Sequence, residues 1–267
     1  MLTNVTFSQN STVSGNNGAD GGSFSSTKFG GSSFGAAVCV NTGLVFVVNC
    51  TVTANAAMGG SGVLDPRLPS INVRGRGLGG GLANIQGTVH LKNTIIAGNS
   101  AGPATNSLMD LSGTFLSEGH NLTGDTNGAS GFINSDLLNV AANVGPLQDN
   151  GGPTFTHALL AGSPAIDAGA SDGAPFVDQR GFPRPARFEF DIGAYEFRSA
   201  YERVQFQDGK VQVWFITEPN QIYPIQTTTN FLSWQTIGAI PATSSGWFLF
   251  EDNPNLPARF YRILLSP

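Results

Sequence analysis

The amino-acid pattern predicts an all-β chain in two parts: a right-handed parallel β-helix to about residue 198, finished by a capping segment from about residue 145, then a small antiparallel β-sandwich over 199–267. Three observations lead there. An Asn-punctuated apolar phrase recurs at a near-constant interval, amphipathic helical spacing is missing from the same region, and the composition changes near Ala200.

The repeat comes first. LTNVTFSQN, VVNCTVTAN and LKNTIIAGN each place Asn third and ninth, giving Asn4 and Asn10, Asn49 and Asn55, Asn93 and Asn99, at offsets of 45 and then 44 residues. Apolar residues keep their places: Leu2, Val47 and Leu91 stand two before the first Asn, and Phe7, Val52 and Ile96 three after it. Before the Asn the apolar positions fall at even steps (Val45, Val47), as a strand requires, but after it they fall at odd steps (Cys50, Val52). The chain must therefore turn a corner at the Asn. Asn suits a corner because it tolerates the left-handed backbone region, and stacked Asn amides from successive repeats can bond one another as a ladder. Strands joined by corners at a fixed period describe a solenoid, in which each coil buries its apolar face only by stacking on its neighbours. The Gly- and Ser-rich connections from Asn10 to Gly35 and from Asn55 to Gly80 have equal length, which fits one coil plus a projecting loop per period, or two short coils.

Beyond about Ala200 the Gly-rich repeats stop, and short apolar runs follow: VQVWFI, YPIQTTT, WQTIGAI, WFLFED and ARFYRILL. Turn-separated runs of this kind predict a small sandwich. Trp214, Trp234 and Trp247 all lie here and fit an independent core; exposed, they would instead make a sugar platform.

Composition narrows the function. Glycine supplies 35 of 267 residues and charged residues only 12%, against a usual charged share of about 25%. Such a chain makes many turns and few ion-paired helices. The net charge of −5 leaves no basic stripe, so nucleic acid and anionic membrane are poor partners. No stretch approaches the roughly 18 consecutive apolar residues of a spanning helix. The N-terminus shows no signal peptide, and because Leu2–Asn10 already reads as a repeat, the chain is expected to start inside a domain. Two cysteines, Cys39 and Cys50, read as buried thiols or a within-coil disulfide.

The phrases GGGLANIQGTVHLKNTIIAGNSA, DLSGTFLSEGHNLTGD, GPLQDNGGPTFTHALLAGSPAIDAG, DQRGFPRP and DIGAYEF resemble the C-terminal half of the bacterial choice-of-anchor Q domain, over about residues 1–197. More loosely, the chain is similar to polymorphic outer-membrane protein repeats and to the pectin-lyase β-helix. The resemblance implies a secreted or surface-displayed chain and attaches no activity to it. The two long connections and the lack of a recognisable anchor depart from the pattern. The stretch from about Ala200, with its closing RFYRI, resembles the small β modules that end large secreted bacterial proteins.

Candidate chemistry concentrates in residues 163–197, which hold Asp167, Asp172, Asp178, Asp191 and Glu196 together with Arg180, Arg184 and Arg187. Asp167, Asp178 and Asp191 meeting in space could hold Ca²⁺ through oxygen ligands. Two carboxylates at about 5 to 9.5 Å could instead act as acid and base on a glycosidic bond. The plainer reading makes the segment a cap over the open end of the solenoid, its Asp at turns and its Arg paired. GRGLGG at 75–80 satisfies a dinucleotide pattern, but a strand-like run follows it and Asp65 is followed by no acid before Asp110, so its glycines read as a flexible approach to the next coil. Adjacent aspartates, as in polygalacturonase-like hydrolases, do not occur. Lys28, Lys92, Arg67, Arg74 and Arg76 are the cations available for a lyase base, and Lys92 is expected to point to solvent. His90, His120 and His157 lack metal-ligand spacing and read as surface or turn residues. The glycosylation-like patterns at Asn4, Asn10, Asn49 and Asn121 need a eukaryotic secretory route, and the ladder accounts for Asn4 and Asn49 more simply.

The expected role is non-catalytic contact with extracellular polysaccharide or the cell envelope. A polysaccharide lyase or hydrolase on the same frame is the enzymatic alternative, and a stalk the structural one. An enzyme should gather carboxylates and a cation on one sheet face, a binder should show aromatic or polar rows there, and a stalk neither.

Overall fold

The computed structural model describes residues 1–16, 29–62, 74–104, 106–186, 188–198, 203–217, 221–243, 246–253 and 259–264. Lys28, Asp65, Arg67, Arg187, the side chain of Trp247 and the middle of both long connections lie outside the described residues. Those described form strands and turns, with no helix. The chain divides into two compact units, Met1–Leu147 with His157–Glu196, and Gln148–Thr156 with Phe197–Pro267.

In the first unit each repeat contributes one strand to each of several parallel sheets. The first sheet orders Leu2–Thr3, Leu44–Val48, Thr88–Lys92 and Leu116–Ser117; the second orders Thr6–Ser8, Thr51–Thr53, Ile95–Ile96, Leu122–Thr123 and Leu137–Leu138. A third holds Ser11–Val13, Ala56–Met58 and Ser100–Gly102, and a fourth Val38–Val40, Leu82–Asn84, Leu111–Thr114 and Ala129–Ser130. Register follows the phrase: Leu2 lies against Val47 and Val47 against Leu91. The next neighbour of Leu91 is Ser117, only 26 residues on. A strand is thus added to the sheet by 26 residues as readily as by 44, and the earlier repeats carry extra chain.

That extra chain explains the glycines. It returns as Ser33–Phe34 and Gly77–Leu78, which pair in parallel, and beside them backbone packs directly on backbone. Gly31 N–H bonds Gly15 O, Gly60 N–H bonds Gly31 O, and Gly75 N–H bonds Gly60 O. A Cβ on Gly60 or Gly75 would stand 2.1 or 1.9 Å from a carbonyl oxygen. The glycines of GRGLGG therefore serve close approach and not flexibility, contrary to the sequence reading.

The alternation inferred from the phrase places Val47, Leu91, Val52, Ile96 and Cys50 in one buried cluster with Val40, Leu82, Leu111 and Phe115. The corner residues take the left-handed conformation, with φ 53° at Asn4 and 48° at both Asn49 and Asn93. Cys39 departs from expectation. Its neighbour Val40 faces the core, so alternation along Val38–Val40 turns Cys39 outward, exposed and unpaired with the buried Cys50. Desolvation pushes the Cys50 thiol up to about 11.

The second unit has two antiparallel sheets. One orders Arg203–Gln207, Lys210–Thr217 and Gly246–Asp252; the other orders Gln235–Ala242, Gln221–Thr228 and Phe260–Ile263. Val213, Phe215, Tyr223, Ile225 and Ala242 make its core. Trp214 and Trp234 are only half-buried and do not form that core; Val213 and Phe215 take the inward positions, so strand alternation turns Trp214 to the other face.

Candidate functional site

Both polar rows begin at the repeat. In the row of second asparagines, Asn10 Nδ2 donates to Asn55 Oδ1 at 2.8 Å, Asn55 Nδ2 to Asn99 Oδ1 at 2.8 Å, and Asn99 Nδ2 to Asp110 Oδ1 at 2.8 Å. The left-handed residue here is the one before each Asn: Gln9, Ala54 and Gly98. Asp110, which the sequence reading passed over, ends the ladder because a carboxylate accepts and need not donate. Desolvation raises its pKa, against the bonds from Asn99. Asn121 begins a shorter run of the same kind, donating to Asp136 at 3.0 Å.

The first asparagines behave differently. Asn93 Nδ2 lies 3.3 Å from Asn49 Oδ1, but the shorter bonds of this row go to residues 163–196. Asn93 donates to Ala170 O at 2.7 Å and accepts from Ala170 N–H at 2.9 Å; Asn4 donates to Val177 O at 2.7 Å. Thr6 Oγ1 reaches Gln179 Oε1 at 2.6 Å, Thr51 Oγ1 accepts from Ala194 N–H at 3.0 Å, and His120 Nδ1 pairs with Ala168 O at 2.8 Å. The acidic segment thus lies along the side of the stack, strapped across four repeats, and not over an end as the capping reading expects. The physical reason is the apolar outer side of the second sheet: Ile95 and Leu122 are fully buried, and Gly193 sits so close that a Cβ would meet Ile95 Cδ1 at 2.8 Å.

Within the strap the candidate carboxylates are tied to the strap itself. Asp178 accepts from Arg180 N–H, Arg180 Nε and Phe182 N–H at 2.8 to 3.0 Å, and the Asp178 and Arg180 side chains are both fully buried. Asp191 Oδ1 accepts from Asp167 N–H at 2.7 Å, and Asp167 Oδ1 from Phe188 N–H at 3.2 Å. Glu196 Oε2 accepts from Arg184 at 2.6 Å; burial raises the Glu196 pKa and lowers that of Arg184. Arg180 lies 3.6 Å from the centre of the Tyr195 ring. Among the described residues no three His, Cys, Asp or Glu side chains converge as a metal would need, so Asp167, Asp178 and Asp191 are not brought together as a Ca²⁺ ligand set.

The candidate site left by this arrangement is the outward face of the first sheet. Val45 and Val47 turn inward, so Leu44, Phe46 and Val48 turn outward, as do Thr88, His90 and Lys92 on the next strand. Register sets Phe46 against His90 and His90 against Leu116. The Phe46 and His90 rings stack at 4.5 Å and 22°, and His90 Nδ1 lies 2.7 Å from Glu118 Oε1. Leu44 and Leu116 beside them are 60% and 50% exposed. One step along, Lys92 Nζ pairs with Asp172 of the strap at 3.1 Å; the side chain is only 11% exposed and does not project into solvent as expected. The histidines also divide: His157 is buried, its nitrogens held by Gly145 O at 2.6 Å and Ser8 Oγ at 2.9 Å. Phe46 and Glu118 were missed in the sequence, although Phe46 stands 44 residues before His90 and the repeat offset predicts their contact.

No known protein family, curated protein or solved structure matches the chain. Among the described residues no helix is long and apolar enough to cross a membrane.

Proposed function

We propose that the chain is a right-handed parallel β-helix with a small β-sandwich after it, of the choice-of-anchor Q kind, secreted or displayed at a cell surface. There it contacts extracellular polysaccharide without cleaving it. The observation that carries this reading is the Phe46–His90 stack on an open parallel sheet, edged by exposed Leu44 and Leu116 and by the Glu118 carboxylate. An aromatic face takes the apolar side of a sugar ring, and imidazole and carboxylate take its hydroxyls.

The enzymatic reading has one observation in its favour. His90 and Lys92 share a strand face and each brings a carboxylate beside a cationic or basic group, the gathering that a lyase or hydrolase on this frame would need. The two are separated by incubating the chain with plant, algal and bacterial polysaccharides, with and without Ca²⁺, while following reducing ends, unsaturated-sugar absorbance and retention on the same polymers immobilised. Retention without product, lost in Phe46→Ala and His90→Ala, is expected. Product release would replace the binding reading by the enzymatic one, and neither retention nor product would leave a stalk.

A further inference from the structure

We propose that the second unit holds a saccharide site of its own, in the cavity walled by Trp234. The cavity, of about 270 Å³, is lined by Thr229, Ser233, Trp234, Gln235 and Arg259, with Thr227 and Thr228 at its floor. That volume lies just under the roughly 300 Å³ at which pockets for drug-sized molecules begin, and suits one sugar ring better than a larger ligand.

The turn before it is built to display aromatic rings. Phe231 holds φ 59°, a conformation that bulky side chains rarely adopt. Side chains of the turn impose it: Thr228 Oγ1 accepts from Phe231 N–H at 3.0 Å, and Asn230 Oδ1 accepts from Leu232 N–H at 2.9 Å. The result is a residue 58% exposed, its ring tilted by 40° against Phe260 at 4.0 Å and set edgewise to Trp234 at 6.2 Å. Arg262 lies over the Trp234 indole at 4.1 Å and bonds Gln226 at 2.8 Å, which fixes the ring in place. A strained backbone and an exposed aromatic group both cost stability, and the unit's own core is complete without them.

The chemistry of the lining chooses the ligand. An apolar partner would cover the Trp234 indole but strand the hydroxyls of Thr229 and Ser233 and the amide of Gln235, each a loss on desolvation. A pyranose ring satisfies both, laying its C–H face on the aromatic wall and turning its hydroxyls to those side chains. Arg259 already pairs with Asp252, so the cavity does not present a bare cation and a carboxylate on the sugar is not required.

This proposal does not rest on the reading of the first sheet. It is tested on the full chain by calorimetric titration with cellotetraose, N-acetylchitotetraose and tetragalacturonate, alongside tryptophan emission. Saturable heat with at least one is expected, weakened about tenfold in Trp234→Ala, which corresponds to about 1.4 kcal/mol. Gln235→Ala and Thr229→Ala, both at exposed positions, should weaken it several-fold and decide the matter if Trp234→Ala does not fold. No heat with any of the three sugars overturns the proposal. So does binding that survives these variants; if Phe46→Ala abolishes it, the first sheet is the site and only the present inference fails.

Discussion

Asp110 is the residue at which the internal polar row meets an ionisable group. Its Oδ1 takes both the backbone and the side-chain N–H of Asn99 at 2.8 Å, yet burial outweighs those bonds and raises its pKa. A carboxyl whose folded pKa stands above its unfolded value holds its proton more tightly when folded, so the folded state loses stability as pH rises from the usual carboxylate range through the raised value. Asp110→Asn keeps an acceptor for Asn99 and has no charge to bury. Its melting temperature relative to the parent chain should therefore climb as pH rises from about 4 to 7, through and above the usual carboxylate range. A difference that shrinks over that interval would mean that hydrogen bonds, and not desolvation, govern the site. The ladder's asparagines were legible in the sequence because the repeat aligns them. Asp110 was not, since it lies 11 residues beyond Asn99, outside the phrase, and only the shortened later repeat folds it back onto the row.

Elements in the first unit are short, two to five residues, and draw little stability from their own hydrogen bonds. Register is held instead by the buried valine, leucine and isoleucine rows and by the asparagines at the corners. Asn55 is the most engaged of these, fully buried, accepting from Asn10 and donating to Phe7 O, Thr53 O and Asn99 Oδ1. Asn55→Ala leaves several of those groups unpaired in the interior and should cost about 3 kcal/mol in chemical denaturation. Asn127→Ala, at an exposed turn, should stay within about 0.5 kcal/mol. Equal effects at the two positions would remove the ladder from the account of stability. Strand positions here were readable because the period and the apolar parity agree. The glycine packing was not: Gly15, Gly31, Gly60 and Gly75 meet only because the extra chain in two repeats returns to the same flank, and a run of glycines looks the same whether it bends or stacks.

At the scale of the molecule, the strap is what the repeat pattern could not foretell, for its bonds join residues as far apart as Asn4 and Val177 and follow no period. It gives the second sheet an interior on both sides and stitches four repeats along one flank, while the second unit keeps its own core. The strap's fixed point is the pair Arg184 and Glu196, whose side chains are 0% and 1% exposed. Arg184 also donates to Gly193 O at 2.8 Å and Asp191 O at 3.2 Å, holding the bend that seats Ile192 and Gly193 against the stack. Arg184→Ala strands the Glu196 carboxylate in the interior, a change that costs about 3 to 5 kcal/mol when a buried pair is broken from one side. Hydrogen exchange resolved along the chain should then show protection falling together in the strap and in Thr51–Thr53 and Ile95–Ile96 beneath it. Amides of Lys210–Thr217 and Gln221–Thr228 should keep the parent rates, since the core they enclose contains no strap residue. Arg184→Met and Glu196→Leu together should recover only the part of the loss that comes from the unpaired carboxylate, because Gly193 O, Asp191 O and the Ala186 and Asp191 N–H groups still lose their partners. If exchange rises equally in both units, the two cores unfold as one and the strap is no separate clamp.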